Sequence, residues 1–223
     1  SVNGDFSLEL SEDNSKSFTY GFEVAYNNMA SESRGRTLNI ENGQINGFSG
    51  EFPVQSRYPD GGSDFLSSAV YVGYRHDFNQ KSTLNSGLRL TNIRKNATWI
   101  DDTFLTLDDM SISANNSALT ATLGYVFKPN VNWEYKGVLS SGFRSPNIDD
   151  IGRVREKSGN VTIPNIHLTP EYAYNAEIGI TKYFNKRRFR VGGNFYYTLL
   201  DNYIQRDFVY NNENSDNSID KVF

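Results

Sequence analysis

Leu119-Thr120-Ala121-Thr122-Leu123-Gly124-Tyr125-Val126-Phe127 is followed by Lys128-Pro129-Asn130-Val131-Asn132. Trp133-Glu134-Tyr135-Lys136-Gly137-Val138-Leu139-Ser140-Ser141-Gly142-Phe143-Arg144 comes next, and these three stretches decide the fold. In the first, Leu119, Ala121, Leu123, Tyr125 and Phe127 alternate with Thr120, Thr122 and Gly124. In the third, Trp133, Tyr135, Leu139 and Phe143 alternate with Glu134, Lys136, Ser140 and Arg144. A period of two puts one set on each face of a β-strand, and the short polar link makes the pair a hairpin.

The same rhythm runs along the chain. Phe18–Tyr26, Val70–Tyr74, Leu84–Leu90, Tyr172–Ile180 and Phe189–Leu199 alternate in this way, and a short strand falls near Phe6–Leu10. The sum is about eight strands, most near the roughly 9–11 residues that a tilted strand needs to cross a bilayer. The facing expected is Phe22, Leu88, Leu123, Ile178 and Phe195 on one side. Glu23, Arg89, Thr122, Glu177 and Asn194 fall on the other. A soluble sandwich would bury the apolar face between two sheets, whereas a transmembrane barrel would turn it to lipid.

The connections separate these two readings. Ser11–Ser17, Asn79–Ser82, Lys128–Asn132 and Asn185–Arg188 are short, and Asn27–Phe65, Lys95–Ser117 and Ser145–Glu171 are long. Compact soluble domains seldom carry structureless loops beyond about 12–15 residues. Short turns at one end and long loops at the other characterise an outer-membrane barrel. Phe78, Phe127, Trp133, Phe184 and Phe189 flank the short turns, and Tyr26, Phe143, Tyr172 and Tyr203 lie near the long loops. Aromatic girdles at both interfaces have that placement.

Composition narrows the function. Among 223 residues there is no Cys, which removes thiolate chemistry, and His76 and His167 are the only histidines. A net charge of -4 argues against nucleic acid as a partner. No GxSxG, Walker loop, HExxH or recognisable catalytic carboxylate pair occurs, so neither an enzyme nor a cofactor is expected. The acidic pairs Asp101-Asp102, Asp108-Asp109 and Asp149-Asp150 could hold a hard cation or be solvated surface. The Asn-rich stretch Asn211–Asn217 reads as the start of another long loop, so the chain is expected to be a segment of a larger barrel.

Two motifs bear on identity. The first is Ser141-Gly142-Phe143-Arg144-Ser145-Pro146, at a strand end. The second is Asn165-Ile166-His167-Leu168-Thr169-Pro170-Glu171, followed by Tyr174-Asn175-Ala176-Glu177-Ile178-Gly179. Together they resemble TonB-dependent outer-membrane receptors, in which Gly-Phe-Arg-Ala-Pro precedes a long external loop, an Asn-Pro-Asn-Leu-Lys-Pro-Glu box and a Glu-x-Gly strand. Ser145, Ile166, His167 and Thr169 depart from that pattern. Asp201-Asn202-Tyr203-Ile204 resembles the family's aromatic strand ending in Asp-x-x-Ile.

The resemblance implies an all-β, antiparallel transmembrane barrel of about 22 strands. Residues 1–223 would be part of that barrel domain, with short periplasmic turns, long extracellular loops and no plug domain. It further implies a Gram-negative outer membrane, outer-membrane lipid around the wall, contact with TonB through a plug, and energised import of a scarce small molecule. Ferric siderophore is the default ligand class. Haem, cobalamin and oligosaccharide are the other classes, and a stand-alone small barrel or a sandwich binding glycan or protein is the alternative fold.

The candidate ligand contacts are Arg144, Arg153, Arg155, Lys157 and His167, all in or beside the loop between the motifs. Three basic residues in that loop suit an anionic chelate, and a mobile loop whose charges only keep it solvated is the other reading. In haem receptors resembling this family a histidine between the motifs can ligate iron, and His167 is the only histidine near that position. Arg144 and Glu171 stand at the two edges of the loop. They either pair or cap the rim, or Arg144 attracts an anion.

Overall fold

The computed structural model describes residues 1–54, 56–100, 111–151, 155–157, 160–162, 165 and 167–205, with the backbone alone at 155–157 and 160–162. Its strands are β1 (Val2–Glu9), β2 (Lys16–Met29), β3 (Arg34–Glu41), β4 (Gln44–Pro53), β5 (Ser63–Asn79) and β6 (Ser82–Thr98). Then come β7 (Ser111–Asn130), β8 (Trp133–Arg144), β9 (Arg155–Lys157), β10 (Asn160–Thr162), β11 (Glu171–Phe184) and β12 (Phe189–Asp201). One four-residue helix, α1 (Ile148–Ile151), follows β8.

Eight strands form one antiparallel sheet in the order β1-β2-β5-β6-β7-β8-β11-β12. The pairs β3–β4 and β9–β10 are separate hairpins inside two of the long connections. β1 pairs with β2 alone and β12 with β11 alone, so the sheet is open and the two strands do not meet. The described residues form neither a closed eight-stranded barrel nor a two-sheet sandwich.

The register shows why the alternation matters. Leu8, Phe18, Tyr74, Ser86, Leu123, Leu139, Ala176 and Tyr197 are successive partners across all eight strands and share one face. The expected outward set lies there too, with Phe22, Leu88, Leu123, Ile178 and Phe195 all exposed. Among the described residues no second layer covers them. The opposite face carries the charge pairs: Arg89 Nη2 is 2.8 Å from Glu23 Oε2, and Lys136 Nζ is 3.3 Å from Glu177 Oε1.

The apolar face is a band with an upper limit. On β7 its members run from Phe127 up to Leu119, after which the same face shows Ser117, Asn115, Ser113 and Ser111. On β6 it runs from Leu84 through Leu90 and then turns to Asn92, Arg94 and Asn96. Leu119 to Phe127 spans roughly 27 Å of strand, near the height of a barrel's apolar band once tilt is allowed for. β6 and β7 therefore continue well past the band, and the long connection between them is shorter than the expected Lys95–Ser117. The polar outward residues remove the apolar alternation that marks a strand in sequence.

Buried hydrophobic side chains are few among the described residues, and most lie at the long-loop end. Ala97, Trp99, Ile112 and Ile151 form one cluster, with Ala114, Ile148 and Leu168 packed against it.

Candidate functional site

The two sequence motifs meet at the rim. Arg144, the last residue of β8, is the register partner of Glu171, the first residue of β11. Arg144 Nη1 donates to Glu171 Oε2 at 2.6 Å, and its Nη2 donates to Asp150 Oδ2 at 2.5 Å. Glu171 takes a further bond on Oε1 from the backbone N–H of Ile204, at 2.6 Å. The guanidinium thus holds the Glu171 carboxyl below its usual range. A charge-assisted pair of this geometry ties together the two ends of the connection between β8 and β11.

Asp150 also organises the start of that connection. Its Oδ2 accepts from the Asn147 N–H, and its own N–H donates to Asn147 Oδ1, both at 2.9 Å. This reciprocal arrangement closes the single turn of α1. Asp149 is 3.4 Å from Arg57 Nη2, which brings in the loop before β5. Both members of the Asp149-Asp150 pair therefore face basic partners. No group of three His, Cys, Asp or Glu side chains among the described residues could hold a metal ion. Asp101-Asp102 and Asp108-Asp109 lie outside the described residues.

Lys95 is the residue that sequence reasoning missed. It is almost fully buried, and its Nζ donates to Ser145 Oγ at 2.6 Å and to the Pro146 carbonyl. Ser145 Oγ in turn donates to Asn116 Oδ1 at 2.9 Å. The first motif is thereby fastened to β6 and β7 as well as to β11. Burial pushes the Lys95 ammonium down to about 8, against the pull of Asp150. Its outward neighbours Arg94 and Asn96 place it beyond the apolar band. The available signal was parity, because Lys95 falls on the same face as Arg89, Thr91 and Ile93.

The other motif residues divide clearly. Phe143 and Tyr172 are register partners with ring centroids 5.7 Å apart, part of the aromatic rim. Pro146 is buried, Leu168 packs on the Trp99 cluster, and Pro170 is half-buried before β11. Asn165 Oδ1 accepts the N–H of His167 at 3.0 Å in a local turn, and the His167 side chain is exposed. Glu177 and Gly179 act as a unit. Gly179 pairs with Lys136, and a Cβ on it would lie 2.3 Å from Lys136 Cε. The glycine lets the lysine chain lie across the backbone and reach Glu177. Nothing in the structure explains Gly142, whose added Cβ would meet only Ala173 at 3.8 Å.

Of the remaining candidates, Arg155 and Lys157 belong to β9, which pairs with β10 in a short hairpin between the two motifs. Arg153 lies outside the described residues. A cleft of about 400 Å³ opens beside α1, lined by Asn27, Tyr58, Asp64, Phe65, Asn147 and Asp149 among others. Among the described residues, paired charges bind the loops of the rim to one another.

Comparisons agree with this geometry. Comparison with the curated proteins gives no match. Three solved structures are similar over most of the chain. The Serratia marcescens hemophore receptor HasR, solved with its hemophore HasA and heme, aligns at 17% identity with a TM-score of 0.66, covering 94% of this chain and 33% of that one. The FrpB iron transporter from Neisseria meningitidis aligns at 16% identity and 0.53, covering 97% and 29%. The ferric-catecholate import receptor Fiu from K12 E. coli aligns at 12% and 0.51, covering 89% and 30%. The chain thus spans about a third of the length of these proteins. The family described as "TonB dependent receptor-like, beta-barrel" matches residues 1–222, and with its open eight-stranded wall and clasped rim the chain belongs to that family of outer-membrane transport receptors.

Proposed function

We propose that this chain supplies barrel wall and part of the extracellular capture surface of a TonB-energised importer, with a ferric siderophore as its ligand class. A plug domain elsewhere in the longer protein would couple the barrel to TonB. The observation that carries the reading is the Arg144 clasp to Glu171 and Asp150. It joins the two ends of the inter-motif connection, which carries the β9–β10 hairpin. The three similar structures, described as a hemophore receptor, an iron transporter and a ferric-catecholate import receptor, support iron as the common cargo.

Arg144 itself is committed to two carboxylates, so it serves the rim rather than the ligand. Arg153, Arg155 and Lys157 are the residues proposed to attract an anionic chelate, by a long-range effect that salt weakens. His167, which is exposed, is proposed as a polar contact. The test replaces Arg153, Arg155 and Lys157 with Ser in the full-length receptor in its native membrane, at matched abundance. Ferric chelate binding is then titrated at two salt concentrations. Weaker binding with a flatter salt dependence supports the reading, and unchanged affinity and salt dependence remove this cluster from capture.

A further inference from the structure

We propose that the turn between β11 and β12 docks an acidic stretch of polypeptide at the periplasmic mouth of the barrel. The inference rests on the family's barrel orientation and is independent of which ligand is imported.

The turn, Asn185-Lys186-Arg187-Arg188, lies at the end of β11 opposite the Arg144–Glu171 clasp, and short turns occupy the periplasmic end of such barrels. Lys182, Lys186, Arg187, Arg188 and Arg190 fall close together. Lys186, Arg187, Arg188 and Arg190 are exposed, and among the described residues none of the four joins an ion pair. Glu134 on β8 is already engaged, by the Tyr183 hydroxyl at 3.3 Å and by Lys128 Nζ at 3.5 Å.

The backbone makes this charge notable. Asn185, Lys186 and Arg187 all have positive φ, 46°, 55° and 71°. Left-handed backbone favours Gly, which has no Cβ to crowd the neighbouring carbonyl. The β3–β4 turn meets the same demand with Asn42 and Gly43. Here two long cations stand in that conformation, in a turn closed by the Arg188 N–H donating to Asn185 O at 3.1 Å. Charge is thus present where backbone ease asks for glycine.

The cations also have a direction. Tyr183 is the register partner of Arg190 and shares the face of Glu177, the interior side. The Arg187 guanidinium carbon lies 4.1 Å from the Tyr183 ring centroid, which draws Arg187 to that side. Lys182 faces outward instead, with Nζ 4.8 Å from the Trp133 ring and 5.0 Å from the Phe184 ring. Lipid headgroups do not reach the interior side, where Arg187 and Arg190 stand. Surrounding lipid would also act alike on every turn, yet the β1–β2 turn carries Glu12 and Asp13. Four cations spread over a turn and a strand start suit a run of carboxylates better than one small anion, and Arg side chains bind carboxylates through paired N–H donors.

The test uses the full-length receptor in phosphatidylcholine nanodiscs and a fluorescent peptide of repeated Glu-Glu-Gly, with Gln-Gln-Gly as its control. The Glu peptide should bind, more weakly as salt rises, and the Gln peptide should not. The variant Lys186→Gly, Arg187→Gly, Arg188→Gln suits the left-handed turn and should fold to parental abundance. It should bind the Glu peptide at least about tenfold more weakly. Arg153→Ser, Arg155→Ser, Lys157→Ser, at the other end of the barrel, should leave this binding unchanged. Absence of Glu-peptide binding, or parental affinity in the turn variant, would overturn the proposal. Loss of the peptide at physiological salt when phosphatidylglycerol replaces phosphatidylcholine would assign the turn to lipid and overturn it too.

Discussion

Arg144 and Glu171 lie 27 positions apart in sequence, yet they face each other in the sheet register and their side chains close to 2.6 Å. This contact explains why the two motifs occur as a pair: one supplies the cation that ends β8, the other the carboxylate that begins β11. Replacing Glu171 with Gln should loosen the connection without unfolding the wall. Arg144 is about half exposed, so the loss is expected to be about 1 kcal/mol rather than the value of a buried pair. Limited proteolysis of intact outer membranes should show faster cutting between Ser145 and Pro170, with barrel abundance unchanged.

Acid should act on the same contact. The Glu171 carboxyl is held below its ordinary 4.5 by Arg144 and by the Ile204 N–H. A carboxyl with a depressed folded value contributes stability above its unfolded value, and loses it as pH falls through the folded one. Protease access to the connection should therefore rise on acidification below about 4.5, and Glu171→Gln should abolish that rise. An identical acid response in the variant would assign the effect to other carboxylates.

Lys95 shifts stability in the same direction, at higher pH. Its folded value of about 8 lies below the 10.5 of the free side chain, so between these values the unfolded state binds more protons. Stability of the rim then rises with pH across that window. Lys95→Met should remove the trend. It should also cost about 1–3 kcal/mol, because Pro146 O loses its buried donor. Melting of the full-length receptor at pH 7.5 and pH 9.5, for parent and variant, checks both statements.

The Glu-x-Gly strand predicts a coupling. Gly179→Ala would drive Lys136 from its path and open the 3.3 Å pair with Glu177. The expected cost is about 1 kcal/mol, and it should shrink when Lys136 is already Ala. A double-mutant cycle on unfolding rates measures this. Additive costs would mean that Gly179 serves some other purpose.

How far the sequence could be read depended on which face a residue occupies. From Leu119 to Phe127 every outward residue is apolar, so period and polarity agree and the strand is legible. From Ser111 to Ser117 the outward residues are polar and the inward Ile112 and Ala114 are apolar, so the faces exchange polarity and the same strand reads as loop. The β3–β4 hairpin was missed for another reason. Asn42 and Gly43 both have positive φ, 52° and 76°, and Asn-Gly between Ile40 and Ile45 is the turn signal, but it lay inside a connection read as one long loop. In the rim, Arg144 and Glu171 were legible as motif ends. Lys95 and Asp150 were not, because their roles depend on loops that meet only in three dimensions.

In the proposed barrel the apolar face of this sheet meets lipid and the polar face meets the interior. The most direct measurement places single nitroxides at positions 119–127 of the full-length receptor in outer-membrane lipid, and compares collision with oxygen and with a water-soluble nickel chelate. Oxygen access should peak at residues 119, 121, 123, 125 and 127, and nickel access at residues 120, 122, 124 and 126. Loss of this alternation, or nickel access at Leu123 equal to that at Thr122, would contradict the account.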